Sequence, residues 1–274
     1  MLTEADGRRT GIRAWVVLRF LCTIWKVNLA SSLEYRISFL LMAGMMFINN
    51  LMWLFFWGLF FHRFPVINGW EYNDIMMLWA VSAGGFGWAN MLFGNFHRIP
   101  SLAATGQLDV YLTQPKPVLL HLLASRMSVT AIGDFAFGLA VYAWAGDLTI
   151  RGFLLFALGL TVSGSIFMFL MIAVGSLAFF IGNAEGIVQQ AFNSFVSLTT
   201  YPADIFKGMA RMLLFTIVPA GYISYLPIGL LRDQNPYFAA GAAAVTIGLG
   251  VLSTILFYIG LKRYASGNAI IMRG

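Results

Sequence analysis

The run ISFLLMAGMMFINNLMWLFFWGLFF, Ile37–Phe61, carries no charged side chain. As an α-helix it reaches about 37 Å at about 1.5 Å per residue, enough to cross a hydrocarbon core of about 30 Å. Arg36, just ahead of it, fits a cytoplasmic start. Long apolar runs recur from there to Tyr258. Of the 274 residues 59% are hydrophobic and 10% charged, against about 25% charged in a soluble domain. So few charges cannot cover a water-facing surface. The apolar surface must face lipid, and the chain reads as one all-α integral membrane domain over residues 1–274.

Working outward, HRFPVINGWEYND (His62–Asp74) is polar and turns the chain outside. The second span is expected over Ile75–Phe93. Its Gly84, Gly85 and Gly87 permit close helix approach in lipid. Gly94–Pro117 carries His97, Arg98 and Lys116 and reads as a cytoplasmic loop. A third span is expected over Val118–Trp144, then a short external turn AGDLTIRG, then a fourth span over Phe153–Ile181 with Gly159 and Ser163 as a small-residue pair. GNAEG (Gly182–Gly186) marks a turn, and Ile187–Tyr201 is a fifth helix. Residues 202–235 are broken by Pro202, Pro219, Gly221 and Pro227. Proline inside a helix removes a hydrogen bond, so this region reads as a re-entrant or kinked hairpin shielded by protein. The last span is expected over Pro236–Leu261, with Ala240, Ala244 and Gly248 in one row.

Upstream, residues 10–32 are apolar but interrupted by Arg13, Arg19 and Lys26. Such a helix is expected in the headgroup plane; a true span with snorkelling cations is the alternative. Lys262, Arg263 and Arg273 place the C-terminal end on the cytoplasmic side. With both termini cytoplasmic in the cell membrane the crossings must be even, and six fit if Ile187–Tyr201 runs outward and Phe206–Leu231 dips in and returns; a full crossing there would make seven and put the basic C-terminus outside, against the positive-inside rule. No cleaved signal peptide is read at the start.

The chemistry this chain does without is informative. There is no GxxxxGK[ST], no HExxH and no CxxC, and Cys22 is the only cysteine. His62, His97 and His121 are scattered at loops and span ends. No catalytic residue, metal site or bound cofactor is expected. The net charge of +6 is spread over loops and ends, which fits topology signalling and contact with anionic lipid headgroups rather than nucleic acid.

Two polar features stand inside the spans. Asp134 lies midway along the third span, where an unpaired carboxylate costs at least about 2.5–3.5 kcal/mol. It must find a partner or a proton, as a helix–helix hydrogen bond or as a charge-handling site. On the fifth helix Gln189, Asn193, Ser197 and Thr200 form one row, flanked by Gln190 and Ser194. Lipid cannot satisfy such a row. It must face water or protein, as interhelical packing or as the wall of a substrate path.

The loop RIPSLAATGQLDVYLTQPKP follows the second span. A short helix over Ser101–Thr105 is expected, capped by Ser101 and stopped by Gly106. This loop resembles the membrane subunit of ABC-2 type exporters, bacterial permeases described as ABC-2 family transporter proteins. The interfacial N-terminal helix, the six spans and YPADIF with FTIVPAGYISYLP before the last span add to the resemblance. It implies an exporter permease, with residues 10–32 as the elbow helix and 95–117 as the cytoplasmic coupling loop. Ser101, Leu102, Ala103, Ala104, Thr105, Gly106 and Leu108 would then form the ATPase-coupling element. The implied partners are a second permease subunit and a dimer of cytoplasmic ATPases, which would bind ATP and Mg themselves. A self-sufficient secondary transporter is the alternative, although no internal repeat supports it.

Overall fold

A computed structural model describes residues 2–182, 184–201, 206–209, 212, 215, 216, 221–232 and 236–264. The described chain is helical. α1 is Leu2–Leu33, α2 Arg36–Arg63 and α3 Tyr72–Phe93, followed by a 3-10 turn at Gly94–Arg98. Then come α4 (Ile99–Ala104), α5 (Asp109–Leu112), α6 (Val118–Ala124), α7 (Thr130–Ala145), α8 (Ile150–Ser176), α9 (Ala178–Ile181), α10 (Glu185–Thr199), α11 (Gly221–Arg232) and α12 (Pro236–Leu261). Five stretches are long and apolar enough to cross a bilayer, by length and composition: Trp15–Leu33, Arg36–Arg63, Tyr72–Ala104, Ile150–Ile181 and Tyr237–Leu261. α7 is apolar but shorter.

α3 is the axis of the bundle. It starts from a reciprocal cap in which Asp74 Oδ2 accepts from the Glu71 N–H at 2.9 Å. From there it is buried along most of its length, between α7 on one side and α8 on the other. Small residues make that possible. A Cβ on Gly87 would run into the Phe135 backbone nitrogen of α7, and a Cβ on Gly85 would sit 2.8 Å from Ser163 of α8. α2 flanks α7, while α11 and α12 pack on α8. Ala240 and Gly248 are exposed on α12, so that small-residue row faces away from the bundle.

Two buried clusters fill the interior. One gathers Phe61, Trp70, Ile75, Tyr142 and Phe156 at the end where α2 meets α3. There the Tyr142 and Phe156 rings stack at 4.0 Å, and Asp147 Oδ1 accepts from the Thr149 N–H at 3.0 Å. That backbone hydrogen bond holds the Asp147 carboxyl below the usual carboxylate range. The other cluster gathers Phe96, Ile99, Leu108, Leu122, Ile172 and Phe257 at the opposite end.

The expected third span, Val118–Trp144, is not one helix. It is α6 and α7 with a break at 125–129. The groups freed by the break find partners on the neighbouring chain. The Asn95 amide donates to Leu122 O at 3.0 Å and to Ser125 Oγ at 2.8 Å, and the Ser128 N–H donates to Asn90 O at 3.1 Å. These bonds replace the helical ones that the break removes. The fourth span reaches Ile181 as expected, with a single turn residue, Leu177, between α8 and α9. Gly182, at φ 76, closes α9. Of the broken region 202–235, Pro202 and Pro219 lie outside the described residues. Its longest described part is α11, with Pro227 inside the helix and buried against α8.

The α3–α7 crossing yields a first prediction. Gly87→Val should lower stability by about 1–3 kcal/mol, the cost of overpacking a tight contact. Gly248→Ala, where a Cβ meets nothing within 4 Å, should be neutral or slightly stabilising. Thermal unfolding in detergent reads both, and equal melting of the two variants would remove the crossing as a constraint.

Candidate substrate cavity and coupling surface

Asn49 and Asn50 sit midway along α2 (Arg36–Arg63), in an otherwise apolar stretch. Asn50 is 4% exposed, and its amide donates to Asp134 Oδ1 on α7 at 2.7 Å. The approach is close because Gly133, next to Asp134, lets α7 lie directly on the α2 backbone at Ala43. Asp134 itself is 2% exposed, and its second oxygen, Oδ2, has no hydrogen-bond partner among the described residues. The indole nitrogen of Trp79 is likewise buried and unpartnered.

Both side chains line one cavity of about 310 Å³, bounded by α2, α3, α7, α8 and α10. Part of its wall is aromatic: Trp53 and Trp79 stack at 6.0 Å with 21° between their planes, and Phe86, Phe167, Phe192 and Tyr201 also line it. Ser82 ties α3 to α10 across one side, its hydroxyl donating to Thr199 O at 3.4 Å. Asn49, Trp53 and Ser197 also line the cavity and are exposed. The cavity therefore opens sideways between α2 and α10. Burial, a ring of aromatic faces and one carboxylate oxygen with free lone pairs suit it to holding a ligand.

The expected row on the fifth helix divides. Ser197 and Thr200 line the cavity. Gln189 and Asn193 are exposed beyond it and bond to one another, Gln189 Nε2 to Asn193 Oδ1 at 3.2 Å. Val188 and Phe195, on the other face of α10, are buried. The amides thus point away from this chain's own core. Asn50, Asn49 and Trp79 were not singled out from the sequence. Two adjacent amides inside an uncharged apolar run were the available signal for the first two.

The coupling loop also divides. Its helix is α4, Ile99–Ala104, so it begins earlier than the expected Ser101–Thr105. Ser101 is not its cap. The Ser101 hydroxyl donates to Arg98 O at 3.1 Å, and Pro100 occupies the first turn instead. Gly106, at φ 75, does stop the chain after Thr105. Leu102, Ala103 and Leu108 are buried in the core cluster, Ser101, Ala104 and Gly106 are half-buried, and Thr105 is exposed. The outward surface is carried by Thr105, Gln107, Val110, Leu112 and Thr113. Tyr264, just past α12, lies beside Asp109 of α5; burial and that carboxylate push its phenol up to about 12. His97 is held inside, against Asn90 Oδ1 at 2.7 Å and the Phe192 ring, rather than at an interface.

The Asn50–Asp134 bond is testable on its own. Asn50→Leu leaves the Asp134 carboxyl with no side-chain partner and should cost about 1–3 kcal/mol. Asn49→Leu, at an exposed neighbour, should change little. Matching unfolding temperatures for the two variants would mean that the bond contributes nothing.

A family model described as ABC-2 family transporter protein matches residues 47–267, which include α3 through α12 and most of α2. No curated protein and no solved structure matches the chain. With a family match over most of its length and the apolar helices that fit it, the chain belongs to the ABC-2 family transporter proteins, a family of membrane transport subunits.

Proposed function

We propose that this chain is the permease subunit of an ATP-driven exporter in the cell membrane. It works as a pair of permease subunits, identical or not, on a dimer of cytoplasmic ATPases that supply ATP and Mg chemistry. Both termini and the 94–117 loop lie on the ATPase side, and six crossings span the bilayer, with 202–235 as the re-entrant region. The observation that carries the reading is the two-sided build of the loop. Its inner face, Ile99, Leu102, Ala103 and Leu108, is buried among α6, α8 and α9 side chains, while Val110 and Leu112 stand 60% and 42% exposed on its outer face. An apolar outer edge on a firmly seated loop suits a protein partner. A push on it passes directly to α3 through the 3-10 turn and to α8 through the Ile99–Gly175 contact.

The elbow reading of α1 is supported by where it docks. Trp25 Nε1 donates to Leu92 O at 2.8 Å, Asn28 Nδ2 donates to Ala124 O at 2.9 Å, and Lys116 Nζ sits 3.5 Å over the Phe20 ring. All three contacts are with the loop end of the bundle, and most of residues 15–33 are otherwise exposed or half-buried. A helix docked at that level fits the headgroup plane.

Val110→Asp together with Leu112→Asp should leave the protein folded in the membrane and lose the ATPase in co-purification. Full ATPase retention would overturn the coupling surface. Leu108→Asp is the wrong probe, since it buries a charge in the core and should unfold the loop. The permease pairing has its own test. Exposed amides on α10 need water or a partner chain, so cysteine in place of Gln189, Asn193 or Ser197 should crosslink between subunits or react with a water-soluble thiol reagent. Cysteine in place of Val188 or Phe195 should do neither. The reverse pattern would overturn this face as the seam.

A further inference from the structure

Among the described residues the carboxylate in the cavity has no built-in counter-charge. None of the residues lining the cavity is basic. Asp134 is nearly fully buried, one of its oxygens is held by Asn50, and Oδ2 has no partner among the described residues. Unsatisfied buried polar atoms are uncommon and call for an explanation, and an uncompensated carboxylate at this depth is costly. Asn49 and Asn50 put the cavity near the middle of α2, so the missing partner is not supplied by headgroups. Meanwhile the surrounding wall offers aromatic faces, led by the stacked Trp53 and Trp79. Ring faces attract cations, and most strongly where water is excluded. A carboxylate and aromatic faces together are the chemistry that recognises an organic cation on an apolar body.

We infer that this cavity binds a small lipophilic ammonium compound, its cationic centre set against Asp134 and the Trp53–Trp79 pair and its apolar part against Phe86, Phe167 and Phe192. The volume of about 310 Å³ stands at the lower end for ligand pockets, so the ligand is compact. The opening between α2 and α10, where Asn49, Trp53 and Ser197 are exposed, lies on the α10 face read above as the permease seam and admits the ligand from there. Asn50 is a positioning residue, which fixes the Asp134 carboxyl and leaves Oδ2 for the ligand. This assignment rests on the permease reading for its role as substrate recognition. The binding itself needs no ATPase.

The test uses the purified full chain in detergent, without ATPase or nucleotide. Benzyltrimethylammonium and neopentylbenzene have the same shape and differ in charge. Equilibrium binding should favour the cation by roughly tenfold or more. Asp134→Asn, which keeps an oxygen for the Asn50 amide, should bring the two ligands to within about threefold of each other. Asp134→Glu should restore much of the preference, which a merely structural defect would not. Ser197→Trp, at the exposed mouth, should weaken both ligands alike. Equal binding of the two by the native chain, no binding of either, or a preference that survives Asp134→Asn would each overturn the assignment. Cation binding by a chain that recruits no ATPase would leave the site standing and sink the permease reading. ATPase recruitment without cation binding would do the reverse.

Discussion

The arrangement depends on how closely α3 lies against α7 and α8. In lipid no hydrophobic force drives helices together, because the tails are as apolar as the side chains. Association then relies on van der Waals contact, which grows as backbones approach. Gly87 removes the side chain where α7 crosses, and Gly85 does so against Ser163 and Gly164 of α8. A larger residue at either place would hold the helices apart and loosen the contacts on both sides. Because α3 is gripped from two directions, α2, α10, α11 and α12 have a rigid surface on which to pack.

The same tightness explains the break between α6 and α7. A continuous helix from Val118 would carry the chain past Asn90 and Asn95 with its own hydrogen bonds complete. Instead groups near the end of α3 take over: the Asn90 backbone oxygen accepts from the Ser128 N–H, and the Asn95 side-chain amide donates to Leu122 O and Ser125 Oγ. Gly94 leaves room, since a Cβ there would lie 3.1 Å from the Ser128 nitrogen. The break turns α6 into part of the loop platform, where Leu119, Leu122 and Leu123 share a core with Ile99, Leu102 and Leu108. The loop is thereby tied to the spans by packing as well as by chain connectivity.

The cavity follows from where this close packing stops. α2 touches α7 at Gly133 but leaves a gap toward α10, bridged on the far side by Ser82 and Thr199. Into that gap the helices project two kinds of group that hydrocarbon tolerates poorly, a carboxylate and amides, among aromatic rings that can face either a charge or an apolar body. The cavity lies beside the two main crossings, and α3 both lines it and leads directly into the loop.

The sequence by itself determined the membrane class, the helical nature of the spans and the kind of chemistry available. These follow from composition, from the length of uncharged runs and from local signals such as Gly106 and Gly182, whose backbones end helices as glycine allows. It also flagged Asp134 as a residue needing a partner, because burial in a span is costly wherever the residue points. What it could not disclose was the partner. Asn50 lies 84 residues away, and no local pattern relates the two. The inward burial of Leu102, Ala103 and Leu108, the split of Val118–Trp144 and the division of the α10 row between a cavity and an outer face were likewise decided in three dimensions. Periodicity assigns a residue to a face of its own helix. Which neighbour covers that face depends on how helices far apart in the chain approach, and that is set by small residues acting together.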